Sequence, residues 1–311
     1  MDQDQSREGA AYHRPVLVEE VVELMAPVLP GVVVDATFGG GGHTRRMLDE
    51  FGDEVSVIAI DRDPEALANA GDLRVTVIEG NFADIHSLVR EVTDEAIAGV
   101  LFDFGVSSHQ LDEPERGFSY HRAGPLDMRM GPDAGVSAAE IVNEWAPDDL
   151  ARIIRQYGEE PLARRIAGAI VDARPIDSTA TLSTVLATAM PAARRRAGHP
   201  ARRTFQAIRI AVNDELVSVA SGVSDAVDLV RSGGRVVAIS YHSLEDRIVK
   251  REFAARARGC TCPPDLPVCG CGNTAEVRLL TRKPIRAGAE EVEANNRARS
   301  AVLRAVEKVA A

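Results

Sequence analysis

Val32-Val33-Val34-Asp35-Ala36-Thr37-Phe38-Gly39-Gly40-Gly41-Gly42-His43 decides how the rest of the chain is read. The β-branched run reads as a buried strand. It ends in an acid and four consecutive glycines, and helix-compatible Thr44-Arg45-Arg46-Met47-Leu48 follows. Strand, turn without Cβ atoms and helix N-terminus is how a nucleotide-binding βαβ unit begins, where bare backbone presses close against a ligand. Val55-Ser56-Val57-Ile58-Ala59-Ile60-Asp61 supplies the second strand. Its acid lies about 20 residues beyond the glycines, the spacing of a ribose-binding carboxylate. Asp63-Pro64-Glu65 then opens a helix, with Asp63 as N-cap and proline at the first helical position.

The glycine spacing separates two adenosine cofactors. A dinucleotide turn needs Gly-x-Gly-x-x-Gly, whose third glycine lets the helix pack closely. Counting from Gly39 puts Thr44 at the third position, and counting from Gly40 puts Arg45 there. Asp35 would also sit poorly beside a pyrophosphate, whereas it suits a cationic ligand. S-adenosylmethionine carries a sulfonium, an ammonium and a ribose without phosphate, so a methyltransferase site fits better than a dehydrogenase site.

Outward from this unit, Val18, Val21, Val22 and Met25 recur at helical spacing ahead of the first strand. Residues 73–78 and 97–103 read as third and fourth strands, and 234–240 as a fifth. Strands alternating with helices indicate a mostly parallel α/β sheet with right-handed crossovers. Function then belongs at the C-terminal strand ends, where Asp35, Asp61, Gly80-Asn81-Phe82 and Asp103 fall. Residues 111–217 read as a helical insertion, because the gap far exceeds a crossover and carries successive apolar stripes. These include Leu150/Ile153/Ile154/Tyr157, Leu162/Ile166/Ile170, and a helix capped by Ser178 or Thr179. A helix over 205–216 leads back, and strands at 276–280 and 298–304 close the sheet as an antiparallel pair. The expected architecture is a Rossmann-like methyltransferase sheet from 1–110 and 218–311, interrupted by a helical domain at 111–217.

Net charge, 36 − 47 = −11 over 311 residues, argues against indiscriminate nucleic-acid binding but leaves room for a local basic face. Such a face exists in 188–211, where Arg194, Arg195, Arg196, Arg202, Arg203 and Arg209 occur without an acid. Six arginines in an acidic chain fit phosphate docking, against the plainer reading of a solvated face. Asp103-Phe104-Gly105-Val106-Ser107-Ser108-His109-Gln110 leaves the fourth strand. Asp103 is placed to accept hydrogens from an exocyclic amine, to orient the cofactor's ammonium, or merely to cap a turn. His242, after the fifth strand, is a substrate-contact candidate, although Ser243 as a helix cap with Glu245 and Asp246 in the first turn explains much of that segment. Cys260, Cys262, Cys269 and Cys271 form C-x-C pairs in a Pro- and Gly-rich loop. Structural zinc sites mostly use C-x₂₋₄-C, so reduced thiols and no metal are expected. Clustered cysteines, a polar start over 1–11 that reads as disordered and lacks a signal-peptide core, and no membrane-length apolar run point to the cytoplasm.

Taken together these blocks resemble the bacterial small-subunit ribosomal RNA cytosine-N4 methyltransferases of the methyltransferase H type. The likeness runs from His13-Arg14-Pro15-Val16-Leu17 to Asn295-Asn296-Arg297-Ala298-Arg299-Ser300. It includes Asp35-Ala36-Thr37-Phe38-Gly39, Gly41-Gly42-His43, Gly105-Val106-Ser107-Ser108, Gly124-Pro125-Leu126-Asp127-Met128-Arg129-Met130, Arg202-Arg203-Thr204-Phe205-Gln206-Ala207 and His242-Ser243-Leu244-Glu245-Asp246-Arg247. Phe104 and Gly40 are mild departures. The resemblance implies S-adenosylmethionine contacts at Gly41, Gly42, His43, Asp61, Phe82, Asp103 and Gln110. It makes Asp103 the catalytic candidate, and makes the insertion the RNA-recognition domain, with Arg195, Arg202, Arg203 and His242 toward substrate. It implies methylation at N4 of a cytidine in the decoding region of small-subunit rRNA, within an assembled or late-assembling subunit. A non-catalytic S-adenosylmethionine-binding protein and a small-molecule N-methyltransferase are the alternatives.

Overall fold

Parallel strands buried on both faces should be continuously apolar, and Ile97–Asp103 shows it: its residues up to Phe102 are buried. This strand, β4, lies inside a seven-stranded sheet of order β3-β2-β1-β4-β5-β7-β6. The others are Gly31–Asp35 (β1), Val55–Asp61 (β2), Val75–Glu79 (β3), Val230–Ser240 (β5), Val277–Leu279 (β6) and Val302–Lys308 (β7). Strands β1 to β5 pair in parallel, while β7 runs antiparallel to both β5 and β6. The computed structural model describes residues 15–192, 199–259, 262 and 270–310. The polar start over 1–11, Arg194 to Arg196, and both Cys260 and Cys269 lie outside the described residues.

The chain divides into two compact units, one of residues up to Gly105 together with Ala220 onward, the other Val106–Val219. The division falls at 106 and 219 rather than the expected 111 and 217. In the first unit Val18–Met25 (α1) and Gly42–Phe51 (α2) flank the sheet, and Val21, Met25 and Met47 join Val33, Val57, Leu101 and Val237 in one core. Pro64–Leu67 (α3) and Ile85–Val92 (α4) follow β2 and β3. Ser243–Arg256 (α12) and Ala289–Ala294 (α13) complete it. The chain runs outward from β1 through β2 to β3, then returns to β4 on β1's other side. That reversal opens a crevice at the β1 and β4 C-termini, where α/β sheets bind ligands.

The second unit comprises Ser108–Asp112 (α5), Ala138–Glu144 (α6), Pro147–Gln156 (α7), Ala163–Asp172 (α8), Thr179–Ala189 (α9) and Arg202–Asn213 (α10). Glu215–Leu229 (α11) runs across the division. Its core takes Leu150, Ile153 and Ile154 from α7, Ile166 and Ile170 from α8, and Leu182 and Leu186 from α9. These are the apolar stripes of the sequence, and Ser178 caps α9 by accepting from Thr181 N–H.

Several other expectations change, and the fifth strand starts at Val230 rather than 234. The helix expected over 205–216 breaks at Asp214, whose left-handed φ of 48° ends α10 before α11 begins. The third strand starts at Val75 rather than 73. The last strand is 302–308, because Asn296–Ser300 coils into a 3₁₀ turn capped by Asn295. Helix α12 is capped by His242 instead of Ser243, since only the 242/245 spacing closes a capping box with Glu245.

Candidate active site

At the end of β1 the backbone turns through Gly39 (φ 52°) and Gly41 (φ 70°), a left-handed geometry that disfavours any side chain. A Cβ on Gly41 would come 2.7 Å from the Phe38 ring. The turn is fastened to β2: Phe38 N–H donates to Ile60 O at 3.0 Å, and Gly39 N–H to Asp61 Oδ2 at 2.8 Å. Asn69, which sequence reading passed over, donates from Nδ2 to Gly39 O at 3.2 Å.

Asp35 and Asp61 both end strands, yet the fold uses them differently. The Asp35 carboxylate is 1% exposed and accepts the Thr44 hydroxyl at 2.6 Å. Burial pushes its pKa up. It therefore ties the end of β1 to the first turn of α2. Asp61 is only partly buried. Each of its oxygens accepts one backbone N–H, from Gly39 at 2.8 Å and from Asp63 at 2.9 Å. A carboxylate has about four lone-pair sites, so both oxygens keep acceptor capacity for further donors. Burial, the largest influence, pushes its pKa up to about 6.

Asp103 ends β4 beside the glycine turn. Its N–H donates to Thr37 Oγ1 at 2.6 Å, and its Oδ1 accepts the Tyr241 hydroxyl at 2.8 Å. Its Oδ2 lies 3.5 Å from His43 Nε2, an ion-pair separation rather than a well-formed hydrogen bond. His43 is 6% exposed, and its Nδ1 has no hydrogen-bond partner among the described residues. Burial alone would hold the imidazole neutral, but the facing Asp103 carboxylate, with Asp35 behind it, outweighs that and raises its pKa.

Phe82 follows β3 and packs edge-on to Phe102 at 5.6 Å and tilted on Phe104 at 5.6 Å, making an apolar wall. Gly222 on α11 permits this, because a Cβ there would stand 2.7 Å from Phe82 O. Gly41, Gly42, His43, Asp61, Phe82 and Asp103 thus all belong to the first unit and lie at C-terminal strand ends. Gln110 belongs to the second unit, where it is 5% exposed. Its Oε1 accepts Ser107 N–H at 3.1 Å in the capping box of α5.

The sequence matches the MraW methylase family over residues 10–309. The chain belongs to that family. Ribosomal RNA small subunit methyltransferase H of Symbiobacterium thermophilum is 51% identical over 312 residues, covering 97% of this chain and 98% of the relative. The enzyme of the same name from Heliobacterium mobile is 49% identical over 310 residues, covering 96% and 99%. As a MraW methylase the protein is a methyltransferase that draws on S-adenosylmethionine. The residues present fit that cofactor. Asp61 has acceptor capacity for ribose hydroxyls, Gly41 carries the left-handed turn that leaves the backbone bare, and His43 Nδ1 is a buried polar atom with no partner among the described residues.

The proposed RNA-facing residues separate on inspection. Arg202 is exposed, and no ion pair holds it among the described residues. Arg203 Nη1 donates to Glu159 O at 3.0 Å and lies 3.5 Å from Glu160. Arg209 grips Glu215 through two bonds of 2.8 and 2.9 Å, so its charge is paired within the fold. The His242 side chain is 12% exposed and its Nδ1 accepts Glu245 N–H at 3.4 Å, which commits it to capping α12.

Proposed function

We propose that this methyltransferase acts on small-subunit ribosomal RNA, at N4 of a cytidine in the decoding region, within an assembled or late-assembling subunit in the cytoplasm. The observation that carries the reading is the Asp103 carboxylate, held between Tyr241 and His43 at the end of β4, in the crevice beside the glycine turn. S-adenosylmethionine supplies an electrophilic methyl on a positively charged sulfur. Asp61 binds its ribose, Gly41 and Gly42 let backbone approach it, and Phe82 and the neighbouring phenylalanines give its adenine an apolar wall. Gln110 is a further candidate cofactor contact.

An exocyclic amine conjugated to a pyrimidine is a poor nucleophile until its lone pair turns away from the ring. Asp103, by accepting an N–H hydrogen, holds the nitrogen in that orientation and lowers the cost of alignment. Of the RNA-facing candidates Arg195, Arg202, Arg203 and His242, Arg202 is the most available phosphate contact, while Arg203 and His242 also hold the fold through Glu159 O and the cap of α12. Supporting this assignment are the family membership and the names of relatives near 50% identity over almost their full length. The test is transfer of labelled methyl to small subunits, and separately to free rRNA, from a strain lacking the enzyme, followed by nucleoside analysis. Label in N4-methylcytidine is expected. Bound cofactor without labelled RNA would make the protein a binder only, and transfer without RNA would make it a small-molecule enzyme.

A further inference from the structure

We propose that Tyr241 is a positioning residue for methyl transfer, holding the Asp103 carboxylate in the orientation that receives the substrate amine. The inference rests on the role given to Asp103 above. Tyr241 is the first residue after β5, which neighbours β4 in the sheet, so a contact between residues 138 apart in sequence joins two adjacent strand ends. Its hydroxyl donates to Asp103 Oδ1 at 2.8 Å, leaving Oδ2 on the side of His43.

A carboxylate turns easily about its last bond, because that torsion is broad and nearly two-fold. The Asp103 backbone is already fixed by the bond from its N–H to Thr37 Oγ1. The phenol adds the restraint that this backbone bond cannot give. Tyr241 is itself well anchored: its N–H donates at 2.8 Å to Glu245 Oε2, and Glu245 is 1% exposed. The ring passes over Gly105, whose missing Cβ would lie 3.5 Å from Tyr241 Cδ2. Burial first, then the facing Asp103 charge, pushes the phenol well above its usual pKa of 10. Tyr241 therefore stays protonated and serves as the donor, with Asp103 as acceptor.

Tyr241→Phe keeps the ring and removes only the donor. Losing one hydrogen bond to a charged group should lower kcat about 10- to 100-fold. The S-adenosylmethionine Kd, measured by titration calorimetry, should change by a much smaller factor than kcat, because the ribose site at Asp61 is untouched and the Asp103 charge remains. The decisive readout is a double-mutant cycle with Asp103→Asn, assayed by methyl transfer to small subunits. If Tyr241 acts through Asp103, adding Tyr241→Phe to Asp103→Asn should cost almost nothing further. A purely structural role would give independent, multiplying losses and a lower melting temperature in both backgrounds, and would overturn the inference. Wild-type kcat in Tyr241→Phe alone also overturns it, leaving Asp103 untouched. Wild-type kcat in Asp103→Asn instead removes the Asp103 reading and this inference together.

Discussion

Acidification should empty the cofactor site while the protein is still folded. The Asp61 carboxyl, pushed up to about 6 by burial, with Asp63 and Asp35 adding their charges, is half protonated there. Ribose hydroxyls donate to the ionised form, so protonation competes with binding, and affinity falls as the pH drops through that value. If Asp61 stays ionised in the complex, the apparent Kd rises about twofold at pH 6 and about tenfold at pH 5 relative to neutral pH, about 1.4 kcal/mol at the lower value. Calorimetric titration of S-adenosylmethionine from pH 8 to 5, with a melting curve at each pH, measures this. His43 keeps its proton to higher pH than an ordinary imidazole, because the facing Asp103 carboxylate outweighs burial and raises its pKa. Asp61→Asn separates the two: it should bind on the order of 2–4 kcal/mol more weakly, through loss of two charge-assisted bonds, and should lose the Asp61 part of the pH dependence. A flat Kd across this range in folded wild-type protein would refute the reasoning, as would full affinity in Asp61→Asn.

Asp103→Asn should reduce methyl transfer by a larger factor than it weakens cofactor binding, and equal losses in kcat and Kd would demote Asp103 to a binding residue. Arg202→Ala should flatten the log-affinity versus log-salt slope for substrate RNA by roughly 0.7–0.9, one phosphate's worth, with an unchanged melting temperature. Arg203→Ala should instead lower the melting temperature, because it removes the bond to Glu159 O and the cation beside Glu160, which is 2% exposed. A slope change from Arg203→Ala with full stability would reverse that division of labour. Gly41→Ala forces a side chain into a left-handed backbone and against Phe38; a stability loss on the order of 1–3 kcal/mol should appear in denaturant melts, together with weaker cofactor binding.

Local signals were enough for much of the first unit. The triple valine, the glycines and the acid-Pro pair at Asp63-Pro64 each act within a few residues, through β-propensity, left-handed backbone and capping. Ile97–Asp103 emerges with the bounds its sequence suggests, because an apolar run buried on both faces has little freedom in register. The helical stripes of the second unit are legible for the same reason: burial of Leu150, Ile153 and Ile154 follows from their spacing. The division of labour among like residues is not local. Asp35 and Asp61 give the same signal at a strand end, and only the packing of Thr44 against one of them makes the first structural. Arg202 and Arg209 sit on one helix, yet Glu215, brought near by the break at Asp214, pairs with Arg209 and leaves Arg202 exposed. Tyr241 reads in sequence as an unremarked aromatic after a strand. Its meaning comes from strand order, since placing β5 beside β4 sets its hydroxyl on Asp103, and no pattern within either segment encodes that neighbour.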